Sequence, residues 1–138
     1  MTKVRLISAE VTWPIRHEIL RPGLPPETAR FDGDHAPDTR HWGASVDGKW
    51  VGVASVMREE GARLRGMAVL KEAQGQGIGR QLVLQIQAWA VRESVPEIWC
   101  FARVHVVSFY AKLGFKRTDA QVYDFVGVGP HFRMSWRA

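Results

Sequence analysis

Gln74-Gly75-Gln76-Gly77-Ile78-Gly79-Arg80 sets three glycines between a run of strand character and a stretch whose apolar residues recur at helical spacing. Glycines let the backbone come close to a ligand, because no Cβ stands in the way. The first N–H groups of a helix have no partner within it, and the helix dipole adds positive potential there. Such a turn is an anion site, with a pyrophosphate as its natural guest. The dinucleotide fingerprint fails, since Arg80 stands where its third glycine belongs, and no Lys-Ser/Thr pair follows as a P-loop requires. From these residues alone, a glycine-rich turn without a ligand stays open as the alternative.

Working outward, Arg63 to Leu70 reads as a strand before the turn. Ile78, Leu82, Ile86, Trp89 and Ala90 make Gly77 to about Arg92 an amphipathic helix. Pro96 follows it, and Glu97 to Arg103 reads as the next strand. This strand–helix–strand unit predicts a parallel pair joined by a right-handed crossover. Upstream, His41 to Val46 and Lys49 to Met57 flank Asp47-Gly48, a hairpin signal. Lys3 to Ile7 is a first strand. Thr12 is placed to cap a helix, with Pro14 in its first turn and its end near Leu20. Arg21-Pro22-Gly23-Leu24-Pro25-Pro26 stops that helix, and the chain to about Thr39 reads as a long loop suited to act as a lid. Downstream come a short helix from Val106 to Leu113, stopped by Gly114 at the left-handed cap position, and strands from Lys116 to Tyr123 and His131 to Trp136. The whole predicts one α/β domain over residues 1–138, with a mixed, mostly antiparallel sheet and flanking helices.

Composition narrows the function classes. Hydrophobic residues make up 46% of the 138, enough for a real core. No apolar run reaches the ~18–20 residues of a membrane span, and residues 1–10 lack the apolar block of a signal peptide; the expected location is the cytoplasm. Cys100, the one cysteine, cannot form an internal disulfide and lies in an apolar run, which suits a small buried hydrophobe better than a nucleophile. Lys and Arg exceed Asp and Glu by 19 to 14. No basic run or arginine-rich arm accompanies that excess, so nucleic acid is not an expected partner. Arginine forks suit carboxylates and phosphates. No His, Cys or carboxylate set has metal-ligand spacing.

The turn does not stand alone. Gln74-x-x-Gly77-x-Gly79, the preceding strand Leu64 to Leu70, Ala102-Arg103, and Ser108-Phe109-Tyr110-Ala111-Lys112-Leu113-Gly114-Phe115 occur in order and at spacings that resemble the GNAT superfamily of acyl-CoA-dependent N-acyltransferases. The resemblance implies acetyl-CoA as co-substrate and a central pair of parallel strands that splay apart, with the pantetheine arm lying between them. Backbone groups of Met67, Ala68 and Val69 would pair with that arm, and Gln74, Gly75, Gln76, Gly77, Ile78, Gly79 and Arg80 would hold the pyrophosphate. Many relatives carry Asn before the Ala-Arg pair. Phe101 stands there in this chain, which removes that polar contact near the cofactor.

Ile15-Arg16-His17, Ile19-Leu20-Arg21-Pro22, Leu64-Arg65-Gly66-Met67-Ala68, Trp99-Cys100, Val122-Tyr123-Asp124 and Gly129-Pro130-His131 resemble more narrowly the glyphosate N-acetyltransferase branch, over residues 15–134. Taken singly, Tyr110 reads as a packed aromatic, His131 as a structural histidine, and each arginine as a surface charge. The resemblance implies otherwise. Tyr110 would be the acid that protonates departing CoA, its reference pKa of about 10 lying above a thiol's. His131 would be the base that takes the amine proton. Arg21, Arg65 and Arg103 would hold the acidic group of the acceptor bidentately.

The reading that follows is transfer of acetyl from acetyl-CoA to the amine of a small acidic molecule bearing a phosphonate, phosphate or carboxylate. The alternatives are a GNAT enzyme acting on another amine, such as a protein N-terminus or an antibiotic, and an acyl-CoA-binding sensor without chemistry. Three arginines argue against a polycationic antibiotic, and Tyr110 with His131 argue against a sensor. The expected oligomeric state is monomer or homodimer.

Overall fold

Apolar residues on alternate positions, rich in valine and alanine, drive the strands together, because a strand with one apolar face must bury it. The computed structural model describes residues 1–138. Its strands are β1 (Thr2–Ile7), β2 (Arg40–Val46), β3 (Lys49–Arg58), β4 (Ala62–Val69), β5 (Glu97–Arg103), β6 (Lys116–Arg117), β7 (Tyr123–Phe125) and β8 (Gly129–Arg137). They form one sheet in the order β1-β2-β3-β4-β5-β8-β6, with β7 also paired to β8. Neighbours are antiparallel except β4 and β5, the expected parallel pair. The crossover between them is α2 (Ile78–Arg92), which buries Ile78, Leu82, Val83, Ile86, Trp89 and Ala90 on the sheet. Trp89 meets Trp42 of β2 edge to face at 5.4 Å. The helix α1 (Ala9–Leu20) packs on β2, β3 and β4.

Three expectations are corrected. The first helix starts at Ala9, with Ser8 at the cap position, and not after Thr12. Thr12 is internal, and its hydroxyl donates to the Ala9 carbonyl at 2.6 Å. Pro14 therefore sits in the second turn. It removes one helical hydrogen bond, and the helix tolerates this because Ala9, Thr12, Ile15 and Arg16 fix its buried face. Second, the strand expected from Lys116 to Tyr123 is two short ones. Asp119 takes the Gln121 N–H at 2.9 Å and the Tyr123 hydroxyl at 2.7 Å, and this local turn breaks the strand between them. Third, the short helix α3 (Val107–Ala111) begins one residue after its expected start, behind a 3-10 turn over Val104–Val106.

The long segment after α1 is held down rather than loose. A 3-10 turn spans Pro26–Ala29, and Ala29 and Asp34 are buried. Arg16, fully buried, donates through Nη1 to the Ala29 carbonyl at 3.1 Å and to Asp34 Oδ2 at 2.8 Å, and through Nη2 to Ser55 Oγ at 2.9 Å. Asp34 Oδ2 also accepts from Trp13 Nε1 at 2.9 Å and from the Phe31 N–H at 3.0 Å. His41 completes the network, with Nδ1 on Ser55 Oγ at 2.6 Å and Nε2 on the Asp34 carbonyl at 2.9 Å. Burial alone would raise the Asp34 pKa, but Arg16, Trp13 and the Phe31 N–H together bring it below the ordinary carboxylate value.

Asp34→Asn leaves Arg16 buried without its counter-charge, a change expected to cost ~3–5 kcal/mol in urea unfolding. The carboxyl's folded pKa is depressed, so its stabilisation is complete above the unfolded value near ~4 and is lost as pH falls through the folded value. The wild type is expected to lose stability below that pH more steeply than the variant, and parallel pH profiles would remove Asp34 from this role.

Candidate active site

The site begins where β4 and β5 stop pairing. Ala62 pairs with Ile98 and Arg63 with Trp99, and no further pair follows. From Leu64 to Val69 the edge of β4 that faces β5 therefore has no strand partner. A register shift against β3 between Val53 and Ser55 turns the strand at the same level. Gly66 lies within it at φ +68, and a Cβ there would stand 2.9 Å from Arg16 Nε and 3.2 Å from Phe31 Cε2. Both the conformation and the space demand glycine. Between the diverging strands lies a cleft of about 910 Å³, lined by β4, β5, the start of α2, α3, the β7–β8 hairpin and the segment after α1.

The turn Gln74–Arg80 closes one end of the cleft. Gly75 and Gly77 both have φ +79, and Gly77 caps α2 in the left-handed conformation with no acidic residue in the first turn. None of the N–H groups of residues 75–80 donates to a backbone carbonyl. Six consecutive donors at the positive end of a four-turn helix are a strong anion cradle. Gln74 steadies the turn by donating from Nε2 to the Val69 carbonyl at 2.9 Å. Ile78 is a core anchor, 1% exposed, so its backbone rather than its side chain belongs to the cradle. Gln76 does not line the cleft; its side chain turns back to the Glu72 carbonyl at 3.3 Å. Met67, Ala68, Val69, Gly79 and Arg80 all line it.

Tyr110 and His131 face the same cleft. The Tyr110 ring stacks edge to face on Phe109 at 5.0 Å and on Phe115 at 5.3 Å. Burial, with a smaller contribution from Cys100, pushes its hydroxyl well above the ordinary phenol value, and no protein group hydrogen-bonds to that hydroxyl. Cys100 is 2% exposed, and burial raises its thiol to about 12, as a small buried hydrophobe should behave. His131 lies opposite Arg103 in the β5–β8 register. Its Nδ1 is 2.9 Å from the Gly129 carbonyl. A carbonyl only accepts, so the neutral ring carries its proton on Nδ1 and keeps a lone pair on Nε2. Phe125 stands edge to face against the ring at 4.8 Å.

The three arginines converge from three elements. Arg21 follows the last turn of α1, Arg65 is on β4, and Arg103 ends β5; all line the cleft. None forms an ion pair with a carboxylate. Burial, and then the charge of Arg103, lowers the Arg21 pKa. Burial, and then Arg63, lowers that of Arg65 to about 10. With Arg63 and Arg80, five arginines line the cleft and no Asp or Glu does.

Sequence reasoning missed the aromatic groups that hold these charges. Phe31 lies in the segment read as a lid, yet its ring is a wall between guanidinium groups: Arg16 at 4.0 Å, Arg65 at 4.4 Å and Arg21 at 5.5 Å from its centroid. A lone aromatic in a polar stretch was the only signal. Phe101 packs against Trp99, Tyr123 and Phe125 at 5.3, 4.9 and 5.1 Å. Where a polar Asn was expected to be missing, an aromatic cluster stands in its place.

Comparison with known proteins agrees with this architecture. Residues 24–137 match the family described as acetyltransferase (GNAT) domain. An uncharacterised N-acetyltransferase of Bacillus subtilis, YitI, is 37% identical over 142 residues, covering 97% of this chain and 95% of its own. The crystal structure of Escherichia coli ElaA superposes with a TM-score of 0.83 at 17% identity, covering 99% of this chain and 100% of its own. A GNAT acetyltransferase from Elizabethkingia anophelis, solved with acetyl-CoA bound, gives a TM-score of 0.75 at 13% identity, over 99% of this chain and 98% of its own. At such identities the two structures attest the fold alone.

Proposed function

The chain belongs to the GNAT family of acetyltransferases and is an acetyl-CoA-dependent N-acetyltransferase, and we propose that its acceptor is the amine of a small anionic molecule, as in the glyphosate N-acetyltransferase branch. One observation carries this reading: Arg21, Arg65 and Arg103, without a carboxylate among them, share a cleft with Tyr110, His131 and the cradle of free amides. A phosphonate, phosphate or carboxylate satisfies those forks.

The residues present suit acetyl-CoA. The amides of residues 75–80 need acceptors, which a pyrophosphate supplies, and Arg80 adds charge beside them. The unpaired edge of β4 at Met67, Ala68 and Val69 offers peptide groups to a pantetheine arm, with the Val69 carbonyl shared with Gln74. Bound there, acetyl-CoA supplies an activated acetyl thioester. The arginines seat the acid and so aim the amine, which turns a bimolecular encounter into a positioned one. The lone pair on His131 Nε2 accepts the amine proton. Tyr110, held in its protonated form by burial, donates to the departing thiolate. Phe31, Phe101 and Phe125 line the cleft and displace water from around these groups.

Gly77→Val places a side chain over the free amides. A Cβ there meets no protein atom within 4 Å, so the substitution strains one residue without displacing packing. Acetyl-CoA binding by calorimetry is expected to be lost while a cooperative thermal transition remains; undiminished binding moves the cofactor elsewhere. Tyr110→Phe keeps the ring and removes the donor, and is expected to lower kcat by ~10²–10⁴-fold with acetyl-CoA affinity retained. His131→Ala is expected to lower kcat by ~10²–10⁴-fold with acetyl-CoA affinity retained; a variant as fast as the parent makes the base another group. The acceptor is tested by following thiol release with glyphosate and 2-amino-3-phosphonopropionate against an aminoglycoside. Alanine at Arg21, Arg65 or Arg103 is expected to raise the acceptor KM by about 30-fold or more, with the acetyl-CoA KM nearly constant. Lysine should rescue only in part, because it lacks the planar fork. Faster turnover of the polycation rejects the anionic pocket and leaves the acetyltransferase intact.

A further inference from the structure

Phe101 and Arg103 stand two positions apart on β5 and so project to one face of the sheet. His131 lies opposite Arg103 on β8 and shares that face. The β7–β8 hairpin brings a second aromatic residue to the same place. Phe125 meets the Phe101 ring at 5.1 Å and the His131 ring at 4.8 Å, edge to face in both cases. The turn that follows is closed by the Val128 N–H, which donates to the Phe125 carbonyl at 2.9 Å. Val128 thereby lines the cleft, whereas Val126 at the tip points to solvent. Phe125 and Val128 remain 37% and 39% exposed. Large apolar groups left open in a concave site, and not turned into the core, shed water when a ligand covers them. The polar inventory points the same way. No Ser, Thr, Asn, Asp or Glu lines the cleft, and its one Gln, Gln74, already donates to the Val69 carbonyl. Beside His131 and the arginines, nothing is placed to hydrogen-bond a hydroxyl or amide substituent of the acceptor.

We propose that Phe101, Phe125 and Val128 form a subsite for an apolar side chain on the amine-bearing carbon of the acceptor, so that the enzyme selects aromatic and branched α-amino acids over small or hydroxylated ones of equal charge. This rests on the anionic-acceptor reading above. With the acid held at Arg103 and the amine at His131, a third substituent of that carbon has Phe125 and Phe101 beside it. An apolar group there covers exposed ring surface. A hydroxyl would give up its water and find no partner.

The test compares kcat/KM for phenylalanine and leucine with that for glycine and serine, all four carrying one amine and one carboxylate. The wild type is expected to prefer the apolar pair by about 10- to 100-fold, the worth of burying one large apolar side chain. Phe125→Ser should remove most of that preference, and Phe125→Leu should keep part of it. Val126→Ser is the control: Val126 is fully exposed and does not line the cleft, so this variant should keep the wild-type ratio. An unchanged ratio in Phe125→Ser overturns the proposal. So does a wild type without the preference, or an equal fall for all four amines, which would make Phe125 only a support for the His131 ring. In these cases the anionic-acceptor reading stands. Phenethylamine, which has the ring and no acid, tests that reading separately. If it is acetylated as fast as phenylalanine and is slowed by Phe125→Ser, the anionic reading falls and the apolar subsite stands. If the wild type acetylates none of the five while remaining active on another amine, the subsite proposal falls.

Discussion

Two residue pairs, Ala62 with Ile98 and Arg63 with Trp99, are all that joins β4 to β5, and the site depends on their being no more. Had the ladder continued, the β4 edge beyond Arg63 would be satisfied by β5 and the sheet would close over the cleft. Because the strands part instead, peptide groups with no strand partner line a slot that opens onto the start of α2. The bulge at Gly66 and the glycine turn at Gly75 and Gly77 are the local conformations that make the parting possible. Each exposes backbone rather than side chain, so the fold lines this side of the cleft with groups that substitution alters little.

The side of the cleft lined by Arg21, Phe31 and Arg65 rests on a different device, the buried pair of Arg16 and Asp34. A buried ion pair gains little net stability, since desolvation offsets much of its attraction. Here it fixes a segment that has few apolar residues to bury. Asp34 gathers α1 through Trp13 and Arg16, and its own segment through the Phe31 N–H. Phe31 is thereby set against Arg65 and Arg21. The chain between the first helix and the second strand is a wall held by the Asp34 carboxylate together with the contacts of Arg16 and His41 to the Ala29 and Asp34 carbonyls.

Electrostatics then sets the character of the cleft. Guanidinium groups that repel one another and lack counter-charges would be expected to turn toward solvent. Aromatic faces counter this, Phe31 for Arg65 and Arg21, and Trp99 and Phe101 for Arg63, by attraction to the ring quadrupoles. Desolvation and mutual repulsion lower the Arg65 and Arg21 pKa values, and an anion entering the cleft relieves both. The same charges draw anionic ligands inward from outside the cleft, an effect that weakens as salt shortens the screening length.

The sequence by itself determined what local chemistry can encode. Glycines at residues 75, 77 and 79 ahead of an amphipathic helix specify an anion cradle wherever the chain folds. Asp47-Gly48 specifies a hairpin, and the order of strands and helices leaves one arrangement for the parallel pair. Motif spacing also carried Tyr110, His131, Arg21, Arg65 and Arg103 into one cleft on paper, and all five line it. Only the tertiary structure decided the rest. Thr12 looked like a cap, because a hydroxyl before apolar periodicity reads that way, yet the buried face of Ala9, Ile15 and Arg16 carried the helix through Pro14 and back to Ala9. The segment to Thr39 looked loose because its anchor, Asp34, finds Arg16 and Trp13 across 18 and 21 residues. The placements of Phe31, Arg63 and Phe101 depend on contacts between side chains far apart in sequence. No local pattern records such contacts, because whether an arginine is a surface charge or part of a pocket is set by what the fold brings to its other side.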